Sequence, residues 1–182
     1  MANRRLEEIK LLALCMASDN REAFSRLVEM HQQGLRRFLV NLTGGNVYLA
    51  EDLAQETFIK AWMAVRNFHG LSGFRTWLYR IAINEYSSWY RREGRMAYEP
   101  VDACRMTPAA DMPSALDARM DVARAVEQLP EKEKLVTLLF YLEELQIKDI
   151  VKITGMPSGT VKSHLSRARN HLEQYMSDPD RF

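Results

Sequence analysis

FRTWLYRIAINEYSSWYRR, residues 74–92, places six aromatic residues and four arginines in one run with no Gly or Pro to interrupt a helix. At 100° per residue, Phe74, Trp77, Leu78, Ile81 and Trp89 share one face. Tyr79, Ile83, Tyr86 and Tyr90 form a second stripe roughly opposite. A surface helix needs only one apolar stripe, so two stripes beside Arg75, Arg80, Arg91 and Arg92 leave two readings open. In one, a stripe packs a core while the other meets an anionic, stackable partner. Base–aromatic stacking is worth about 1–3 kcal/mol per base, and arginines hold phosphates. In the other, the helix is buried on both sides of an all-helical domain.

The chain around this stretch has 182 residues, enough for one ordinary domain or two small ones. A hydrophobic content of 47% permits a core and argues against wholesale disorder. No apolar run approaches bilayer-spanning length, and MANRRLEEIK lacks the apolar stretch of a secretory signal. Cys15 and Cys104 stand far apart and outside metal-ligand spacing, which reads as a cytoplasmic protein with reduced thiols. The net charge of +1 conceals a pattern. Residues 71–95 and 152–174 each carry +3, while 99–121 and 127–149 each carry −3. Two basic patches separated by acidic stretches are consistent with two contacts on one polyanion.

Leu6–Met16 reads as a short helix, and Asp19 as the N-cap of the next, with Glu22 completing a capping box. Phe24, Leu27, Val28, His31, Leu35, Phe38, Leu39 and Leu42 then recur at helical spacing up to Gly44-Gly45. His31 is read as a packed histidine, because no other ligand stands at metal spacing. A further helix spans about Val47–Asn67, with Ala50, Leu53, Ala54, Thr57, Phe58, Ala61, Trp62 and Val65 inward. Asp52, Gln55, Glu56, Ile59 and Met63 share its outer side. That side is either a solvated face with incidental apolar residues or a docking surface with an apolar centre and charged rim. Residues 68–73 form a loop into the opening helix, which ends near Gly94.

Arg95–Leu116 carries Pro100, Pro108 and Pro113 with weak periodicity, the texture of a flexible linker able to reach roughly 70 Å when extended. The boundaries are therefore 1–94, 95–116 and 117–182. Beyond the linker, helices are expected over Asp117–Leu129 (apolar at Val122, Ala123, Val126 and Leu129), Glu131–Leu142, Ile147–Thr154 and from Ser158, which serves as N-cap. The last pair, joined by Gly155-Met156-Pro157, has helix-turn-helix form. Val161, Leu165, Ala168 and Leu172 face inward. Lys162, Ser163, Ser166, Arg167 and Asn170 face outward, with Ser158 and Thr160 at the N-terminal end that such helices offer to bases. A helical hairpin with a polar face has the same pattern.

AEDLAQETFIKAW (50–62), FHGLSGFRTWLYRIAIN (68–84) and LPEKEKLVTLLFYLEELQIKDIVKITGMPSGTVKSHLSRAR (129–169) together resemble a sigma factor of bacterial RNA polymerase. The two-domain layout is similar to the small extracytoplasmic-function (ECF) group. The resemblance implies that Asp52, Gln55, Glu56, Ile59 and Met63 grip the clamp helices of the largest polymerase subunit. It implies that Asn67, Phe68, Arg80 and Asn84, with Arg75, Arg91 and Arg92 on phosphates, melt and read the −10 element. A flipped base would then be held by the 67–73 loop, whose contacts must offset unstacking. The helix-turn-helix residues Ser158, Thr160, Lys162, Ser163, Ser166, Arg167 and Asn170 would read the −35 element, and the acidic 127–149 region would face the polymerase flap. Relatives usually carry a basic residue where His164 stands and often a small one near Glu144. A neutral imidazole is a weak phosphate partner, so a phosphate contact is not carried over to His164. The resemblance also implies an anti-sigma partner.

No HExxH, P-loop or dinucleotide turn is present, and no nucleophile stands beside a His–acid pair, which argues against an enzyme. A polymerase-independent helix-turn-helix regulator would have no use for the outward face of 52–63. A protein-only adaptor would have no use for the basic face of the last helix. The expectation is an all-α initiation factor, two small helical domains on a linker, bound to core RNA polymerase and promoter DNA, needing no cofactor and not inserted in a membrane.

Overall fold

The computed structural model describes residues 2–70, 72–93 and 122–177. Every element among them is helical, and the chain divides into two compact units, one holding residues 2–39 and 48–93, the other residues 40–47 and 122–177. The linker expected over 95–116, with Cys104, lies outside the described residues.

The first unit is built from α1 (Ala2–Ser18), α2 (Arg21–Leu42) as far as residue 39, α3 (Val47–Ala64, followed by a 3-10 turn at Val65–Asn67) from residue 48, and α4 (Phe74–Arg92). The break between α1 and α2 differs from the sequence reading by one residue. The Asn20 side chain, not Asp19, accepts the cap hydrogen bond, from Ala23 N–H at 2.9 Å. Asp19 takes the left-handed conformation (φ 49°), which Asp tolerates better than most residues. Its carboxylate instead pairs with Arg66 across the unit. Cys15 is fully buried and its thiol pKa is pushed up by that burial, so it is a packing residue rather than a reactive one.

The packing of α4 decides between the two readings of its sequence. Phe74 and Leu78 are buried, but so are Tyr79, Ile83 and Tyr86, at 1%, 5% and 6% exposure. Phe38 of α2 meets Tyr79 with ring centres 5.0 Å apart, and His31 meets Phe74 at 5.2 Å. The tyrosine stripe is therefore core and not a stacking platform; of it only Tyr90 is exposed. Of the two readings, the one in which neighbours bury the helix on this side too is the one the packing favours. His31 packs as expected, its Nε2 3.3 Å from Glu8.

In the second unit, residues 122–127 (α5) lead to α6 (Glu131–Thr137), which continues as a π turn over Leu138–Leu142. Then come α7 (Ile147–Thr154) and α8 (Ser158–Met176). In α5 the inward residues are Ala125 and, just beyond it, Leu129; of the apolar positions named from the sequence, Val122 and Ala123 are exposed and Val126 is half-buried. The π turn is visible in Glu143 N–H bonding Leu138 C=O at 3.0 Å, an i→i−5 bond inside what the periodicity reads as one regular helix. The extra residue per turn leaves Leu142 only half-buried, and the chain then turns through Glu144 at φ 51°. Between α7 and α8, Gly155 supplies the left-handed turn (φ 72°), with its N–H on Val151 C=O at 2.8 Å. Ser158 is the first residue of α8 and not its cap; Pro157 occupies that position and no side chain caps the helix. Val161, Leu165 and Ala168 are buried as expected, whereas Leu172 is half-buried.

Candidate functional site

Three exposed surfaces carry the candidate residues, two on the first unit and one on the second.

On α3, buried Ala50, Leu53, Ala54, Thr57 and Ala61 fix the inner side. Helical geometry then leaves Asp52, Gln55, Glu56, Ile59 and Met63 on one outward strip, all exposed. Ile59 is 45% and Met63 75% exposed, uncommon for side chains that gain from burial. Tyr48, one turn before Asp52, is 82% exposed and extends the strip; the sequence reading missed it, although its i−4 spacing placed it there. Neighbouring charges tie the helix down. Glu56 lies 3.4 Å from Lys60, which also bonds Glu85 of α4, and Arg36 of α2 pairs with Glu51. The Glu85 hydrogen bond is the largest cause of a raised Lys60 pKa, keeping it a cation. An apolar centre between acids, held on a braced helix, can dock a basic or amphipathic protein surface.

The second surface lies along α4 and the segment before it. With the tyrosine stripe buried up to Tyr86 and Trp77, Ile81 and Trp89 half-buried, the exposed polar line is Arg80, Asn84, Ser87 and Arg91, at i, i+4, i+7 and i+11. Ser87 is the addition that sequence reasoning passed over. Arg92 and Asn67 are also exposed. Arg75 is half-buried and folds its guanidinium over the Tyr79 ring at 5.4 Å, so it is drawn toward its own helix rather than held outward. Phe68 is a correction: its ring is 7% exposed, 5.3 Å from Trp77 and 6.1 Å from Phe74. It anchors the 65–70 segment to the first turns of α4 and offers no open face to a base. Trp77, wedged among Phe68 and Phe74 and half-buried, belongs to the same aromatic cluster. Polar groups on a rigid helix beside a glycine-containing loop can hold a phosphate backbone and bond base edges.

On α8 every candidate is exposed: Ser158, Thr160, Lys162, Ser163, Ser166, Arg167 and Asn170. Arg169, on the same helix, donates to the Tyr141 hydroxyl at 3.2 Å. Arg167 is held on two sides, its Nε 3.5 Å from the buried Glu133 carboxylate and its Nη2 3.0 Å from His164 Nδ1. His171 Nδ1 meets the other Glu133 oxygen at 2.8 Å. The His164 imidazole sits below the usual histidine range, mainly through desolvation and next through the Arg167 charge. That shift favours the neutral ring, whose Nδ1 can accept from Arg167. The place of Glu133 is invisible in the sequence, because it depends on α6 packing against α8.

The comparisons with known proteins cover both units. A family model described as Sigma-70 region 2 matches residues 27–96, and one described as Sigma-70, region 4 matches residues 119–172. The ECF RNA polymerase sigma factor SigW of Bacillus subtilis is 29% identical over 192 residues, covering 98% of each chain. An ECF RNA polymerase sigma-E factor of Haemophilus influenzae is 33% identical, covering 85% of this chain and 87% of that one. The sigma factor RpoE of Bartonella quintana, solved with the anti-sigma factor NepR, is 30% identical with a TM-score of 0.68, covering 86% of this chain and 98% of that one.

Proposed function

The chain belongs to the ECF sigma factors of bacterial RNA polymerase, and from that premise we propose that it directs initiation by docking α3 on the core enzyme, opening the −10 element with α4 and reading the −35 element with α8. The observation that carries this reading is the joint occurrence, on separate helical units, of an acid-rimmed apolar strip on α3 and an outward polar face on a helix-turn-helix. A free repressor needs only the second. On α3, Asp52, Gln55, Glu56, Ile59 and Met63, with Tyr48, take the clamp helices of the largest subunit. On α4, Arg80, Asn84, Arg91 and Arg92 hold the non-template strand with Asn67, while Phe68 and Trp77 brace the loop. The acidic 127–149 region faces the flap.

Strand opening without ATP draws on binding energy, and each unstacked base costs a few kcal/mol that contacts to the single strand must offset. A few base contacts per unit are too few for tight binding alone, so specificity arises in the holoenzyme, where both units engage one promoter. Work with polymerase places the protein in the cytoplasm; no helix among the described residues is long and apolar enough to cross a membrane. The solved relative bound to an anti-sigma factor supports a similar inhibitory partner here. The test is transcription by core polymerase plus this chain on pooled genomic promoter fragments, with permanganate mapping of open thymines. Discrete transcripts with a melted −10 region support the reading; duplex binding without polymerase dependence or opening refutes it.

A further inference from the structure

Arg167 is the one long cation of the α8 outward face whose head group meets protein on two sides, and its partners come from two elements. His164 stands one turn before it on α8. Glu133 comes from the first turn of α6, and its side chain is 6% exposed. A carboxylate buried to that degree needs ionic or hydrogen-bonded partners, because leaving it without them is costly. Arg167 and His171 supply them from one face of α8, at i and i+4. The geometry also limits Arg167. With Nε 3.5 Å from Glu133 Oε1 and Nη2 3.0 Å from His164 Nδ1, the flexible stem is restrained from two directions. The side chain as a whole is 55% exposed, so the guanidinium is presented outward as a restrained fork. A fixed fork discriminates between base edges, whereas a mobile cation settles on the nearest phosphate.

We propose that Glu133 is a positioning residue for −35 recognition, which converts Arg167 from a general phosphate contact into a base-reading one, with His164 as the second hold. The inference rests on the α8 reading above and deepens it. It also gives His164 a task that suits a neutral imidazole, since a cation at that position would repel Arg167 and compete with it for Glu133.

The test uses holoenzyme and a promoter whose −35 element is varied one position at a time, comparing the wild-type chain with Arg167→Ala, Glu133→Gln and the double variant. Arg167→Ala should relax the preference at one position. Glu133→Gln should relax the same position at least threefold, and the double variant should be no more relaxed than Arg167→Ala. Position-specific loss in Arg167→Ala with none in Glu133→Gln overturns this inference alone. Equal weakening of Glu133→Gln on every −35 sequence also overturns it, marking Glu133 as a fold-stabilising group. No position-specific loss in Arg167→Ala overturns both this inference and the α8 reading. Should Glu133→Gln fail to fold, the wild-type chain still decides. Its Arg167 Nε–H, observed by NMR, should exchange with water at least tenfold more slowly than that of free arginine, and exchange at the free rate overturns the proposal.

Discussion

Replacing Ile59 and Met63 together with Ser should weaken binding to core polymerase while leaving the fold intact. Fully burying a side chain of this kind is worth about 1.5–3 kcal/mol. Ile59 is 45% and Met63 75% exposed in the free chain. The part still to be gained on docking is then about 0.7–1.4 kcal/mol for Ile59 and about 1.1–2.3 kcal/mol for Met63 if a partner covers both. Together they amount to about 1.8–3.7 kcal/mol, a rise in Kd of roughly 20- to 500-fold. Folding already covers the rest of each side chain, so the fold should lose roughly 1–2.4 kcal/mol, seen as a lower melting temperature with the helical fold retained. Kd is measured by fluorescence anisotropy of labelled chain titrated with core enzyme, and stability by thermal melting followed by circular dichroism. A variant that keeps its helical fold and binds core enzyme with Kd within threefold of wild type would refute the assignment of this strip to polymerase.

Arg80→Ala should slow promoter opening and lower the salt-dependence slope of holoenzyme binding by about one if its guanidinium holds a phosphate; unchanged opening and slope would remove Arg80 from the DNA face. Glu144→Gly should stabilise the second unit by roughly 0.5–1 kcal/mol, since relief of left-handed strain of about 1–2 kcal/mol exceeds the added unfolded-state entropy of about 0.4–1 kcal/mol. A lower melting temperature for that variant would mean that Glu144 makes a contact worth more than its strain. His164, held below the usual range by burial first and Arg167 second, binds its proton less readily folded than unfolded. Its contribution to stability is present above the unfolded value of about 6.5 and is lost as pH falls through the folded pKa. Arg167→Ala should raise the NMR titration midpoint of His164 only part of the way back, because desolvation remains; no movement would place the two side chains apart in solution.

The sequence alone determined the helical class, the positions of the main helices and the inward side of most of them. These depend on local spacing, and a 3.6-residue period records which face is apolar whatever the neighbours are. The outward strip of α3 and the polar face of α8 follow from the same rule, as the complement of a buried stripe. Where spacing admits two answers, only packing could choose. Two apolar stripes on α4 can mean one core and one binding face, and Phe38 against Tyr79 decides that the tyrosine stripe is core. That packing leaves Arg80, Asn84, Ser87 and Arg91 as the exposed line. Phe68 in a loop motif reads as available until Trp77 and Phe74 enclose it. The π turn at Leu138–Leu142 and the left-handed Glu144 carry no residue that demands them, so they are set by how α6 must end against its neighbours. Glu133 and Arg167 stand 34 residues apart in sequence, and no local pattern links them. Their pairing exists because α6 and α8 pack side by side, and long-range contact of that kind is the information a one-dimensional pattern does not carry.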